Sequence, residues 1–308
     1  MHLPLMSFGG EPLSLRRLTG AVDAARDSGF AAIAANDHLV FQTPWLDGPT
    51  ALASMIERSG EMALVTTVSL AVVRGPVPLA KALAAIDVLS EGRVIAALGP
   101  GSSERDYRLI GIPYEERWAR FDEAIALLRS LLKGDPLPER LRYHPASPDY
   151  ELRPAPCRPE GLPLWIGSWG SAAGLARVAR AGDGWLASAY NTTPERFSAA
   201  RTTLARELER RGRDPDGFPS ALATMWTWVS TGPAEADRVL AEVLAPILGR
   251  HPDELRGQVC VGSAEHCAEL LARYAEAGCE RVFLWPLGDE IRQLELVART
   301  VVPQLPRG

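Results

Sequence analysis

Apolar residues occur along the chain in two alternating patterns. Eight short apolar runs are separated by stretches in which apolar residues recur every three or four positions, as in the stripe from Trp118 to Leu132. Short runs bounded by Gly, Pro or polar residues are typical of buried strands, and the longer spacing is typical of helices. The predicted strands are residues 3–8, 30–35, 63–70, 93–98, 164–166, 184–188, 221–229 and 281–285.

Strands that alternate with helices predict a parallel sheet. Eight such units within 308 residues favour an α/β fold of the closed (β/α)8 TIM-barrel type over an open doubly wound sheet. We expect a single domain over residues 1–308. Residues 134–161 are rich in proline and lack periodicity, so they predict an insertion loop that crosses the surface before the fifth strand.

Composition narrows the possible location and partners. The net charge of −5 argues against a nucleic-acid or membrane-surface partner, and no run approaches the roughly 20 apolar residues of a membrane span. The N-terminus lacks the features of a signal peptide, and none of the four cysteines forms a Cys-x-x-Cys pair. We therefore expect a soluble cytoplasmic protein with buried free thiols.

In a barrel of this type, the active site lies where the strands end at their carboxyl termini. Asp37 and His38 follow the second predicted strand, and Tyr190 follows the sixth. His38 can act as an acid, a base or a hydrogen-bond donor near neutral pH, and Asp37 could orient it or bind a ligand. The alternative is a structural Asp-His pair that caps a loop.

Two Gly- and Ser-rich turns also follow strands. The turn over residues 167–171 leads directly into a predicted helix, whose free amides and dipole favour an anion. It is either a phosphate cradle or an ordinary strand-to-helix turn with a Ser cap. The turn at Gly99 and Gly101 lacks the third glycine of a dinucleotide fingerprint, which argues against a Rossmann site. Gly101 with the hydroxyls of Ser102 and Ser103 could still form a second anion-binding turn. No ligand spacing in the sequence predicts a metal site.

Several segments together resemble the bacterial-luciferase-like flavin oxidoreductases over nearly the whole chain. These segments are Asn-Asp-His at 36–38, Leu-Ala-Lys-Ala-Leu-Ala-Ala-Ile-Asp-Val-Leu-Ser-Glu-Gly-Arg at 79–93, Gly-Pro-Gly-Ser-Ser-Glu-Arg-Asp-Tyr at 99–107, Arg-Phe-Asp-Glu at 120–123, Pro-Leu-Trp-Ile-Gly at 163–167 and Gly-Asp-Gly-Trp at 182–185. The resemblance implies a (β/α)8 barrel that holds a flavin at the carboxyl ends of its strands.

The resemblance also implies roles for individual residues. Thr67 and Val68 would lie against the isoalloxazine ring, joined in many members by a cis peptide bond, and Asp37 and His38 would face the ring or the substrate. The remaining cofactor-binding residues would be Gly101, Ser102, Ser103, Gly167, Ser168, Trp169, Gly170, Ser171 and Tyr190, with residues 167–171 at the phosphate.

Family members with FMN use the reduced flavin and O2 to insert one oxygen atom, whereas others transfer hydride with the deazaflavin coenzyme F420. Pro100 lies where some FMN-type members place an arginine near the phosphate, which argues against tight FMN binding. Ser102 stands where some deazaflavin members carry a catalytic acid, which argues against a sugar-phosphate-dehydrogenase-like activity.

The resulting prediction is a two-component monooxygenase that uses reduced FMN and O2 on a small organic substrate, with a separate flavin reductase as a possible partner. The alternatives are an F420-dependent hydride-transfer enzyme and a non-catalytic flavin-binding barrel. A phosphate-binding lyase barrel would need a lysine or a metal at a strand end, and Lys81 and Lys133 both lie in predicted helices. The resemblance further implies a homodimer formed through the helices after the second and third strands.

Overall fold

Eight parallel strands form the sheet in the computed structural model, which describes residues 1–8, 12–147, 149 and 151–306. The strands are β1 Ala32–Ala35, β2 Ala63–Leu70, β3 Val94–Gly99, β4 Leu164–Gly167, β5 Gly184–Ser188, β6 Ser220–Val229, β7 Cys260–Gly262 and β8 Arg281–Pro286. The α-helices in this part of the chain are α1 Leu15–Asp27, α2 Gly48–Ser54, α3 Pro76–Leu89, α4 Glu104–Leu109, α5 Arg117–Lys133, α6 Ala172–Ala181, α7 Pro194–Glu209, α8 Pro233–Arg238, α9 Ala245–Leu248, α10 Pro252–Arg256, α11 Ala264–Glu276 and α12 Glu290–Leu296.

The sheet closes through the N-terminal segment. Strands β1 to β6 pair in chain order, and β6 then pairs with both β7 and β8. Residues 1–3 lie between β8 and β1. The amide of His2 donates to Leu284 O at 2.7 Å, and the amide of Leu3 donates to Ala34 O at 2.8 Å. These bonds complete the ring, so the prediction of a (β/α)8 barrel is confirmed.

Two strand predictions differ from the structure. The strand predicted over residues 3–8 pairs through residues 1–3 instead, because the chain turns where the amide of Leu5 donates to Leu3 O at 2.8 Å. Beyond that turn, the described residues pair through an isolated bridge of Met6 with Trp45, where the amide of Leu46 donates to Leu5 O at 2.8 Å. The short strand β7 was not predicted, since three residues carry too little pattern to identify a strand.

The interior of the barrel is filled by side chains from alternate strand positions. Ala32, Ala34 and Val65 point inward with two large rings, Trp165 and Phe283, and all are buried. Their neighbours in sequence pack outward against the helices, as the two-residue period of a strand requires. Because side chains fill the interior, a ligand site has to lie above it, at the strand ends.

The described residues between the end of α5 at Lys133 and the start of β4 at Leu164 form neither helix nor strand. Part of this connection is held by Glu123, whose carboxylate accepts from the amides of Tyr143 and His144 at 2.7 and 2.6 Å. Its interpretation as an insertion stays a prediction, as does the single domain over residues 1–308.

Two further predictions concern membranes and thiols. Among the residues that the structure describes, no helix has the length and apolarity needed to cross a bilayer. Cys260, Cys267 and Cys279 are free and buried as expected. Cys157 is free but exposed, because it lies in the irregular connection between α5 and β4 and outside the layers that bury the others.

Candidate functional site

A cavity of about 320 Å³ lies at the carboxyl ends of strands β1 to β6. It collects eleven of the thirteen predicted site residues from five different strand ends, which are Asp37, His38, Thr67, Val68, Gly101, Ser102, Gly167, Ser168, Trp169, Ser171 and Tyr190. The other two lie outside its lining. Ser103 begins helix α4 and lines a separate hollow beside Phe41, while a Cβ at Gly170 would face Ala200 of α7.

Residues 167–174, called the cradle below, join β4 to helix α6. Ser171 caps the helix, with its Oγ accepting from the amide of Gly174 at 3.2 Å. The next two amides, at residues 172 and 173, have no acceptor within the helix and carry its positive dipole end. A Cβ at Gly174 would overlap Ser168 Oγ, so only glycine leaves room for that hydroxyl. The cradle therefore suits an anion such as a phosphate.

Thr67 and Val68 form the floor of the cavity. Their peptide bond is cis, as the resemblance implies, and the pairing of β2 with β3 shifts register between Thr67 and Ser69. The Val68 side chain lies over two glycines of neighbouring strands. A Cβ at Gly99 would approach Val68 Cγ2 to 2.6 Å, and one at Gly167 would approach Val68 Cγ1 to 2.9 Å. These two glycines are thus needed to admit the Val68 side chain.

His38 is held by Asp106, a residue of helix α4. The Nδ1 atom of His38 lies 2.9 Å from Asp106 Oδ2, and the imidazole lines the cavity. The other carboxylate oxygen, Oδ1, accepts from the amides of Leu39 and Val40, both at 2.9 Å. Asp106 is completely buried. A carboxylate with three donors orients the ring and places the N–H on Nδ1, which leaves Nε2 as the acceptor.

The charge state of Asp106 follows from these contacts. Burial disfavours its charged form, but the hydrogen bonds from His38 and from the two amides outweigh burial and hold the pKa of the carboxyl below its usual value. Asp106 is therefore ionised at neutral pH, and it stabilises an imidazolium on His38 whenever that ring takes up a proton.

Asp37 is occupied by Arg74 and does not contact His38 through a hydrogen bond. The guanidinium donates to both carboxylate oxygens of Asp37, at 2.5 and 2.6 Å, and also to Asp47. The amide of Leu70 donates to Asp37 as well, at 3.2 Å. Burial alone would lower the pKa of Arg74, but its two carboxylate partners raise it instead. From the sequence, Asp37 could either orient His38 or bind a ligand. In the structure, Asp106 is the carboxylate that orients His38.

Arg117 lines the cavity at the end where Trp118, its neighbour in the chain, contacts Arg177 of α6, the helix that follows the cradle. Its guanidinium stacks 4.0 Å from the centre of the Tyr114 ring, and no described carboxylate oxygen lies within 4.0 Å of it. Asp37 is the one carboxylate among the described residues that line the cavity, and it shares its partner Arg74 with Asp47. Trp118 and Trp169 flank this end and are 43% and 60% exposed, so the cavity opens to solvent there.

Residues of β5 and β6, and those just after β5, form an uncharged wall of the cavity. Ser188 Oγ and Thr224 Oγ1 lie 2.8 Å apart, and the side-chain Nδ2 of Asn191 donates to Ser188 Oγ at 3.2 Å. Tyr190 lies beside them, and burial raises the pKa of its hydroxyl, so the ring stays neutral at ordinary pH.

Four residues that line the cavity or hold its lining side chains were not identified from the sequence: Arg117 and Gly174 in the lining, and Arg74 and Asp106 behind it. Asp106 stands 68 positions from His38, and Arg74 stands 37 positions from Asp37, so no local spacing connects either pair. Asp106 lies inside one of the segments that resemble the luciferase-like enzymes, which was the available signal. Gly174 lies one turn into α6, where the three-residue distance from the Ser171 cap could have identified it.

Comparisons with known proteins agree with this geometry. The family model described as luciferase-like monooxygenase matches residues 5–281. The chain belongs to this family. It is 30% identical, over an alignment of 332 residues, to an F420-dependent glucose-6-phosphate dehydrogenase of Beutenbergia cavernae, and the match covers 96% of this chain and 95% of that one. Its matches to several other curated relatives span 55% of their length or less.

Solved structures show the same fold at low sequence identity. A monooxygenase from Streptomyces bottropensis superposes with a TM-score of 0.84 at 19% identity, covering 98% of both chains. An F420-dependent secondary alcohol dehydrogenase in complex with an F420-acetone adduct superposes with a TM-score of 0.83 at 17% identity, covering 95% of both chains. The predicted family and oxidoreductase class are confirmed, and the choice between oxygenation and hydride transfer depends on the site.

Proposed function

We propose that this member of the family is an F420-dependent oxidoreductase that interconverts an alcohol and a carbonyl compound. The observation that carries the proposal is a cationic side chain at the open part of the cavity, where Arg117 lies beside the exposed Trp118 without a described carboxylate partner. A curated relative that matches over 95% of its length is named for F420, which supports the same cofactor.

F420 and FMN differ in the groups that follow the phosphate. The phosphate of FMN is a terminal monoester, whereas the phosphate of F420 is a diester that continues into a chain with free carboxylates. The cradle suits a phosphate of either kind. A ligand that continues beyond its phosphate could place a carboxylate on Arg117, and the exposed Trp118 and Trp169 leave an opening for such a chain.

The chemistry needs a hydride acceptor and a proton acceptor. Bound F420 would supply the first, taking a hydride from the carbon that bears the hydroxyl. His38 would supply the second through Nε2, taking the hydroxyl proton as the carbonyl forms, and Asp106 would stabilise the resulting imidazolium. Asp37 is unsuited to this role because both of its oxygens accept from Arg74.

The test is a set of binding titrations with F420, FMN and reduced FMN, followed by a survey of alcohols for loss of F420 absorbance. We expect F420 to bind most tightly and to be reduced. Preferential binding of reduced FMN, with oxygen uptake in the presence of a flavin reductase, would replace this proposal by the two-component monooxygenase. Binding without turnover of any reduced cofactor would support a non-catalytic barrel.

Arg117→Ala provides the sharper test of the cofactor. We expect it to weaken F420 binding about tenfold, the size of one lost charge-assisted contact, and to change FMN binding less than threefold. Arg117→Lys should recover part of the loss. Arg16→Ala removes an exposed arginine outside the cavity and controls for net charge. Equal losses for F420 and FMN would contradict the assignment of Arg117 to the extended chain.

We also propose that the protein is a homodimer, as the resemblance implies, and that helix α3 contributes to the contact between the two chains. Ala80 and Ala84 are buried within the chain's own core and are not available to a partner. Val77, Val88 and Leu89 of the same helix are exposed and provide the apolar surface instead. Light scattering at micromolar concentration should give twice the chain mass, and Leu89→Glu should favour the monomer.

A further inference from the structure

The two ends of the cavity carry opposite charge. The His38 end, defined here by Asp37, His38, Asp47, Arg74 and Asp106, contains three carboxylates and one guanidinium. Its net charge is therefore −2 with a neutral imidazole and −1 with an imidazolium. The cradle end carries the positive end of helix α6, and Arg117 lines the cavity beside Trp118, which Arg177 of α6 contacts.

The surroundings of His38 are aromatic. The centre of its ring lies 5.0 Å from that of Phe41 and 4.9 Å from that of Trp45, and Trp45 in turn meets Trp285 at 5.7 Å. These rings pack against His38 from outside the cavity lining, so the imidazole has an apolar surface on one side and the carboxylate of Asp106 at Nδ1.

Other cations near His38 lie outside this end of the cavity. Arg105 and Arg108 line the separate hollow beside Phe41, and both side chains are exposed to solvent. Arg108 also pairs with Glu104 at 2.8 Å. Charges that are this exposed are largely screened, so they compensate little for the buried carboxylates at the His38 end.

We propose that the substrate is a neutral, largely apolar alcohol or carbonyl compound and not a sugar phosphate or another anion. This inference rests on the proposed function and specifies the substrate of that same site. An anionic substrate beside His38 would meet Asp37 in the lining and the charges of Asp47 and Asp106 behind it, and Asp37 and Asp106 are buried, so the repulsion is weakly screened. A neutral molecule avoids this repulsion and packs its apolar part against the apolar lining, which includes Val68, Leu70 and Leu186.

The experiment uses protein saturated with F420 and two matched series of ligands. One series contains neutral alcohols and ketones with apolar substituents, and the other contains sugar phosphates and hydroxy acids. Binding is measured by quenching of tryptophan fluorescence, which is independent of turnover, and reduction is measured from the F420 absorbance. We expect the best neutral ligands to bind about 50-fold or more tightly than the best anions and to be the compounds that reduce F420.

Each result separates the two proposals. If F420 does not bind, the proposed function fails and this inference fails with it. If F420 binds and anions bind as tightly as neutral compounds, or if neither series binds, the substrate inference is overturned while the cofactor assignment stands.

A charge substitution provides a second readout. Asp47→Asn keeps an N-cap side chain for the amide of Thr50 and removes one negative charge from the His38 end. We expect it to shift the ratio of anion to neutral affinity towards anions by about three- to tenfold. Asp216→Asn makes the same chemical change at an exposed residue outside the cavity and should leave the ratio unchanged. Equal ratios in both variants would overturn the electrostatic argument.

Discussion

The cradle and the His38 end hold their functional groups by different means. The cradle consists of eight consecutive residues, and its binding groups are backbone amides fixed by a strand, a turn and the first turn of α6. The His38 end consists of side chains from four separate segments, joined by hydrogen bonds between residues 27 to 68 positions apart. The first is positioned by regular backbone structure, and in the second each carboxylate is positioned by several donors.

This difference predicts how each region fails when it is changed. Amides cannot be removed by substitution, so the cradle fails when a side chain occupies the space the anion or its serines need. The His38 end fails when one partner of a pair is lost, since the remaining charge then lies buried without compensation. Damage to the cradle should affect cofactor affinity, and damage to the His38 end should affect turnover.

The largest expected effect is that of His38→Ala on turnover. A positioned acid–base group contributes on the order of 10²–10⁴-fold in rate, and we expect a loss of that size in the reduction of F420. Cofactor affinity should change less than threefold, because the substitution leaves the backbone amides of the cradle and the side chain of Arg117 unchanged. The measurements are steady-state kinetics and F420 titration on the same preparation. Activity within about threefold of the parent would return His38 to a structural role.

Next in size is the effect of Gly174→Ala on cofactor binding. The new Cβ would displace Ser168 Oγ, which now accepts from the amide of Gly170 at 3.3 Å, and would disturb the turn around the anion. We expect F420 affinity to fall about tenfold while the maximal rate at saturating cofactor stays within threefold. Gly257→Ala is the matched control, since nothing lies within 4 Å of a Cβ there. Unchanged affinity would show that the cradle does not bind the phosphate.

The same contrast explains what could be predicted from the sequence. The cradle was located because strand, glycine turn and helix follow one another directly, and the barrel was predicted because its strands and helices alternate at regular length. Even so, the sequence placed Gly170 at the anion, whereas Gly174 is the glycine that makes room for Ser168. Which glycine lies beneath a side chain depends on the path of the turn, and composition does not specify that path.

At the His38 end, the sequence identified two of the five residues. Asp37 and His38 were found because they directly follow a strand, but their partners were not, because Arg74 and Asp106 come from later segments that only the closed barrel brings near. Their pairing also reversed an assumption drawn from adjacency. Asp37 precedes His38 in the chain, yet its carboxylate binds Arg74, while Asp106 reaches the imidazole from α4.

The smallest expected effect is that of Asp106→Asn on the pH dependence of stability. It tests directly whether the ionised Asp106 carboxylate stabilises the fold. The folded pKa of Asp106 lies below its usual value of 3.8 because of the bonds from His38, Leu39 and Val40. A carboxyl whose pKa is lowered by folding stabilises the protein above its unfolded pKa, and this contribution is lost as the pH falls through the folded value. We expect the variant to be less stable by about 1–2 kcal/mol at pH 5, roughly the difference between hydrogen bonds to a charged and to a neutral acceptor, with the difference shrinking below pH 4.

Urea unfolding of both proteins between pH 5 and pH 3 measures this difference, since the other carboxyl groups are common to both and largely cancel. Asp216→Asn reports the cost of the same chemical change at an exposed residue outside any described ion pair. A difference between parent and Asp106→Asn that stays constant or grows as the pH falls would mean that the ionised carboxylate does not stabilise the fold. His38 would then be positioned by packing against Phe41 and Trp45, and the His38 end would depend on shape where we infer that it depends on charge.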